Sequence, residues 1–207
     1  IAHDKLSFDR LGEKNKFAVI NIDDDILRNY NFNSRVVTCG ITHKEADYVA
    51  ENVRQDGIWL RMDISYKGKS VPIQINIPGE HNAYNAVLAF AMAKEWGLSD
   101  EEIQEGFMAY KSQGIRQNLC EVAGRVMYID CFNISVDSIK SCLRTLDSIE
   151  VAPGSRKIAV LSGENALGED AYPVNYEAGL TLGDYNADEF IFVGLPETAL
   201  PEDYNYY

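Results

Sequence analysis

The cluster Gly79-Glu80-His81-Asn82-Ala83-Tyr84-Asn85-Ala86 holds the residues best placed to do recognition chemistry in this 207-residue chain. Asn82 and Asn85 are three apart at the start of an Ala-rich run, so on a helix both amides lie on one face. A carboxamide offers a donor and an acceptor together, which matches the N6 and N7 edge of adenine. Spacing alone favours the plainer reading of the same residues as a helix start, with His81 and Asn82 capping free backbone N–H groups. Two common nucleotide signatures are missing from the text: no G-x-x-x-x-G-K-[ST] phosphate loop occurs, and no G-x-G-x-x-G follows a strand. The four cysteines (Cys39, Cys120, Cys131, Cys142) are scattered and form no C-x-x-C pair, which argues for reduced thiols in a cytoplasmic protein and against a zinc site.

The elements that must position this cluster come from the hydrophobic pattern. Ala18–Asn21 and Arg35–Cys39 are short apolar, β-branched runs, predicted as buried parallel strands; Asp23-Asp24-Asp25 and Gly40 stop them. Segments 47–53, 58–64 and 71–77 alternate apolar with polar, with turn signals at Gln55-Asp56-Gly57 and Lys67-Gly68-Lys69, and predict an antiparallel meander with one wet face. Pro78-Gly79 breaks the last strand. A helix is predicted over Asn82–Trp96 and closed by Gly97, and Ser99 with Glu102 is a capping box that opens another. After Lys111-Ser112-Gln113-Gly114, read as a boundary, strands at 125–129, 157–162 and 189–193 alternate with helices at about 139–149 and 172–182. That order predicts a three-stranded parallel sheet with ligands at its carboxyl ends, where Asp130, Gly163-Glu164 and Gly194 fall.

Composition excludes several classes. Hydrophobic residues make up 46% and charged residues 25%, as in a globular protein, and net charge is −13. With no basic run, such a chain repels nucleic acid. No apolar stretch is long enough to insert in a bilayer.

Several motifs in order resemble those of the Mur ligase family. The segment I-P-G-E-H-N-A-Y-N-A-V-L-A-F-A-M-A-K-E-W-G-L-S-D-E-E-I is similar to the family's central-domain G-x-H-N-x-x-N helix. Ala18-Val19-Ile20-Asn21-Ile22-Asp23-Asp24 resembles its A-V-x-N-x-D-D strand end, and Gly114-Ile115-Arg116 its G-R linker. Residues Asp130 to Ser138 resemble its D-[SA]-Y-N-A-N-P-D-S loop. That loop, with Ser162 to Glu169 echoing G-D-M-x-E-L-G-E, is most similar to the family type that adds D-alanyl-D-alanine to the UDP-linked muramoyl tripeptide.

The resemblance implies an α/β protein: residues 1–113 as a partial central, ATP-binding domain without its phosphate loop, and 114–207 as a Rossmann-like parallel C-terminal domain, incomplete at its end. It implies ATP and Mg2+ as cofactors, and as partners a UDP-linked muramoyl peptide and an amino acid or dipeptide amine. The reaction would form an acyl phosphate that the amine attacks, in the course of peptidoglycan precursor synthesis. Asn82 would contact adenine with His81 and Asn85 beside it. Arg116 would lie against the nucleotide, Asp130 would accept from the ribose hydroxyls, Asn133 would orient its loop, and His3 would help hold magnesium. By themselves Arg116 reads as a solvated linker charge and Asp130 as the cap of the next helix.

The text departs from the family at Phe132 for Tyr, Ser135 for the second Asn, Val136 for Pro and Ile129 for the Asp paired with Asp130, and His3 lies closer to Asn21 than in the family. Lys5, Lys14 and Lys16 take no assignment as the family's carbamylated lysine. The expectation is a ligase fragment inactive by itself. Another Mur-fold amino-acid ligase and a non-catalytic Mur-like nucleotide-binding module are the alternatives.

Overall fold

The computed structural model describes residues 6, 7, 9, 17–56, 58–112, 114–131, 135–163 and 171–193. The chain divides into two compact units, Ile1–Lys111 and Ser112–Tyr207.

The first unit is built on one mixed five-stranded sheet in the order β1-β2-β3-β4-β5. Its strands are β1 (Ala18–Asn21), β2 (Val36–Gly40), β3 (Tyr48–Asp56), β4 (Trp59–Tyr66) and β5 (Lys69–Ile75). β1 and β2 pair in parallel, as their apolar runs predict. β3 then joins β2 in parallel through Cys39↔Tyr48 and Gly40↔Val49, and pairs antiparallel with β4, so the meander and the parallel pair are one sheet. The turn between β4 and β5 places Lys67 at φ 47° and Gly68 at φ 74°, the left-handed pair that a two-residue hairpin turn requires. Alternation along β4 buries Leu60, Met62, Ile64 and Tyr66 on one face.

Helix α1 (Asp25–Asn29) was not anticipated: Asp24, read only as a strand stop, accepts from the Leu27 N–H at 2.9 Å and caps it. Helix α2 (Asn82–Glu95) packs Ala83, Ala86, Val87, Phe90 and Ala91 into the sheet's buried face. Gly97 at φ 95° ends it, its N–H bonded to the Lys94 carbonyl. Helix α3 (Asp100–Ala109) starts at the expected capping box, Ser99 with Glu102.

In the second unit, β6 (Asn118–Val122) and β7 (Arg125–Ile129) form an antiparallel hairpin. Helix α4 (Val136–Ser148), β8 (Ile158–Ser162), helix α5 (Ala171–Leu180) and β9 (Glu189–Val193) follow, with β8 and β9 parallel. Among the described residues this corrects the expected three-stranded parallel sheet: β7 pairs with β6, and only β8 and β9 pair in parallel. The reason is the Ala123-Gly124 turn at φ 51° and 73°, a left-handed pair whose first residue is not a usual turn former. The unit's core gathers Ile139 and Leu143 of α4, Ala159, Ala178, Leu182 and Phe192.

Phe90 is fully buried, edge-on to Tyr66 at 5.5 Å and Tyr48 at 6.1 Å. Phe90→Ala is expected to cost about 3–5 kcal/mol of unfolding free energy. Ile26→Ala, at a position 58% exposed in α1, is expected to stay within about 0.5 kcal/mol. Urea unfolding of both variants checks the contrast.

Candidate functional site

The turn before α2 is assembled by backbone and side chain together. Gly79 sits at φ 94°, a conformation strained for other residues, and its N–H donates to Gln55 Oε1 at 3.0 Å. The Asn82 N–H then bonds the Gly79 carbonyl at 3.0 Å, and the Ala83 N–H bonds that of Glu80 at 3.0 Å. His81 stands at the N-cap position but makes no side-chain cap bond, and Asn82 is the first helical residue. The His81 side chain therefore does not cap the helix.

Asn82 is buried, 3% exposed. Its Nδ2 donates to the Pro78 carbonyl at 2.9 Å and lies 3.3 Å from His81 Nε2. Its Oδ1 accepts from Asn85 Nδ2 at 2.9 Å. The structure thus brings His81, Asn82 and Asn85 together as expected from spacing. It gives them unequal roles: Asn82 locks the turn from inside, and Asn85 is the exposed amide.

Beside this turn lies a group that sequence reasoning did not nominate. Asp23, at the carboxyl end of β1, has a side chain only 7% exposed. Its Oδ2 accepts from the N–H groups of Ile41 (2.7 Å) and Thr42 (2.9 Å) and from the Tyr84 hydroxyl (3.0 Å). Its Oδ1 accepts from the His43 N–H (2.9 Å) and is 2.8 Å from His43 Nδ1. The Arg28 guanidinium, which can only donate, lies 3.2 Å from His43 Nε2. Nε2 therefore accepts, Nδ1 carries the proton, and the imidazole donates to Asp23.

Burial pushes the Asp23 carboxyl upward, but the amides of Thr42, Ile41 and His43 and the Thr42 side chain outweigh it and hold the group far below the ordinary carboxylate range. Burial, then Asp23, pushes the Tyr84 phenol upward. Gly40 leaves room for the loop: a Cβ there would meet the His43 carbonyl at 3.0 Å and Asp23 Oδ1 at 3.1 Å. The signal available in the text was an Asp at the end of a strand predicted parallel, with Gly40 and His43 after the next one.

In the second unit, the hairpin register opposes Asn118 and Ile129, and the Cys131 N–H donates to the Ile115 carbonyl at 2.7 Å. Arg116 and Asp130 thus sit on adjacent backbone segments at the open end of the hairpin, and both are exposed. Helix α4 is capped by Ser135 in a reciprocal box with Ser138, so Asp130 is not its cap. Burial first, then the Asp130 charge, pushes the Tyr128 phenol above its ordinary range and the Cys142 thiol up to about 12. His3, Asn133, Phe132 and the Glu164–Glu169 echo lie outside the described residues. Among the described residues no group of three or more His, Cys, Asp or Glu could hold a metal ion.

Two outcomes follow from this geometry. The folded-state carboxyl of Asp23 lies below its ordinary value of 3.8, so its stabilisation is present above about pH 4 and is lost as pH falls below that. Asp23→Asn is expected to lower Tm at pH 7 and to flatten the decline of Tm between about pH 4 and pH 2; parallel acid limbs for the two proteins contradict the assignment. Asn82→Ala strips a partner from the Pro78 carbonyl and from Asn85, and is expected to cost about 1–3 kcal/mol in denaturant unfolding.

Residues 1–93 match the family model described as Mur ligase middle domain. The chain is 31% identical over 189 residues to UDP-N-acetylmuramoyl-L-alanyl-D-glutamate--2,6-diaminopimelate ligase 1 of Clostridium acetobutylicum, covering 84% of this chain and 36% of that protein. It is 28% identical over 153 residues to UDP-N-acetylmuramate--L-alanine ligase of Caldicellulosiruptor bescii, covering 70% and 33%. The chain spans about a third of the length of these relatives. Among solved structures, MurF from Acinetobacter baumannii has a similar fold, with a TM-score of 0.78 at 21% identity over 88% of this chain and 40% of that one. MurF from Thermotoga maritima in complex with ADP gives 0.74 at 17% identity, over 94% and 44%.

Proposed function

We propose that this chain, whose residues 1–93 belong to the Mur ligase middle-domain family and whose homologues are Mur ligases, is the adenosine-binding part of an ATP-dependent amide-bond ligase of peptidoglycan precursor synthesis. The observation that carries the reading is the head of α2. A buried Asn82 fixes the turn, and the exposed Asn85 amide is held beside it by a bond to Asn82. A preset amide that keeps oxygen and N–H capacity is suited to the N6 and N7 edge of adenine.

Arg116 and Asp130, in the second unit, are proposed as nucleotide residues by resemblance. An exposed carboxylate accepts from ribose hydroxyls, and a guanidinium stacks on a base or holds the ribose. ATP supplies the phosphoryl group that activates a carboxylate toward attack by an amine. The residues here bind and orient the adenosine side of that reaction. His3 is proposed as the magnesium ligand by resemblance alone, and no step is routed through the metal.

The substrates proposed are a UDP-linked muramoyl peptide and an amine. The Asp130–Ser138 loop and the fold likeness to MurF favour D-alanyl-D-alanine as that amine. A second reading, an amino acid such as diaminopimelate or L-alanine, is favoured by the named relatives.

In the full-length ligase, Asn85→Ala and Asp130→Ala are each expected to raise KM for ATP about tenfold, the equivalent of about 1.4 kcal/mol. KM for the muramoyl peptide should hold in both, and Tm should hold in Asp130→Ala; Asn85→Ala also strips a donor from the buried Asn82 Oδ1 and is expected to lower Tm. ATP saturation curves within twofold of the parent for both variants would overturn the nucleotide reading. Purified by itself, the 207-residue chain should hydrolyse no ATP above background, because its sequence contains no phosphate loop.

A further inference from the structure

Asp23 is absent from the set assigned to the nucleotide, yet it joins the strand ends to the helix that carries that set. Four of its five hydrogen bonds come from residues 41–43, just after β2. The fifth comes from Tyr84, in the first turn of α2. The bonds at Gly79 and Asn82 hold the turn that precedes the helix. Tyr84 ties the first helical turn directly to the end of β1.

Directionality makes this tie matter. In its first turns α2 sets only alanines against the sheet, Ala83 and Ala86 at 0–3% exposed, while the larger Val87 and Phe90 are buried further along it. Apolar burial is non-directional, and small side chains resist rotation of a helix poorly. A hydrogen bond loses strength steeply as its angle departs from linear. Its acceptor is itself immobile, because Asp23 is gripped by three backbone amides and by a His43 ring that Arg28 holds from behind. Tyr84 and Asn85 are consecutive, so any rotation of the first turn moves the Asn85 amide by the same angle.

We infer that Tyr84 is a positioning residue: its hydroxyl bond to Asp23 sets the orientation of the Asn85 amide and through it the affinity for the adenine base. The inference rests on the nucleotide reading of Asn85. Recognition sites hold their groups to within about 0.5 Å and 10–20°, and a displaced amide loses its paired bonds to a planar base edge.

Tyr84→Phe removes one oxygen and leaves Asp23 with its amides and His43. In the full-length ligase this variant is expected to raise KM for ATP about fivefold, with kcat within about twofold of the parent. Placed in an Asp23→Asn background, it should raise KM no further, because the two residues act through one bond. A lower Tm with unchanged KM for ATP makes Tyr84 purely structural and overturns the inference, as does an additive effect in the double variant. Asn85→Ala in the same assay separates the two failures. If Asn85→Ala raises KM and Tyr84→Phe does not, the inference falls and the nucleotide reading stands. If neither raises KM, both fall.

Discussion

A carboxylate leaves water at a cost of several kcal/mol unless donors replace its hydration shell, and Asp23 meets that condition with five. Its neighbourhood is arranged around supplying them. The loop after β2 turns so that three successive N–H groups converge on one side chain. Gly40 permits the approach because any Cβ there would press against Asp23 Oδ1 and the His43 carbonyl. The His43 ring takes the one tautomer compatible with an Arg28 donor on its far side. Once these bonds exist, the carboxyl ends of β1 and β2 have a fixed separation, and the head of α2 has a fixed point to dock against.

The opposite end of α2 is pinned by carboxylates as well. Glu95 accepts from Arg35 and from the Tyr48 hydroxyl, and Asp100, just past the helix, takes Lys94 at 2.7 Å and the Tyr66 hydroxyl at 2.6 Å. The Arg35 bond lowers the Glu95 carboxyl against the upward push of burial, and Lys94 followed by Tyr66 lowers that of Asp100. Tyr48 and Tyr66 stack at 5.3 Å under Phe90, so the same two rings carry core packing and polar ties. The helix is therefore oriented at both ends by directional bonds. Its middle adds the burial of Val87 and of Phe90, which sits edge-on to Tyr66 and Tyr48.

How much of this was legible in the sequence depended on the range of the interaction. Local patterns carried β4, β5, α2 and the Ser99 box, because alternation, alanine content and capping chemistry are written within a few residues. The union of β1–β2 with the meander was not legible, since it rests on two residue pairs between β2 and β3. The Ala123-Gly124 hairpin escaped because its first residue gives no turn signal. At the site, spacing found His81, Asn82 and Asn85 but could not tell which amide is buried. That depends on the Pro78 carbonyl folding back over the helix start. Asp23 was visible as a strand end but not as a site, because its donors lie 18 to 61 positions away.

The departures at Ser135 and Val136 take on a different weight once α4 is located. Aligned on Asp130, the family's second Asn falls on the N-cap of this helix and its Pro on the first helical position. Asn and Ser are about equally good at an N-cap, where each accepts from a backbone N–H two or three residues on. Here Ser135 does so, at 3.2 Å from the Ser138 N–H, and Ser138 returns the bond at 2.7 Å. Proline suits the first helical position because its missing N–H is not needed there, and any residue able to adopt a helical φ fills the same place. Ser135 and Val136 thus reproduce by other means the helix start that Asn-Pro would give. Neither substitution is then a reason to read the Asp130–Ser138 loop as degenerate. Asp130 remains exposed at the hairpin's open end, on the backbone segment next to that of Arg116.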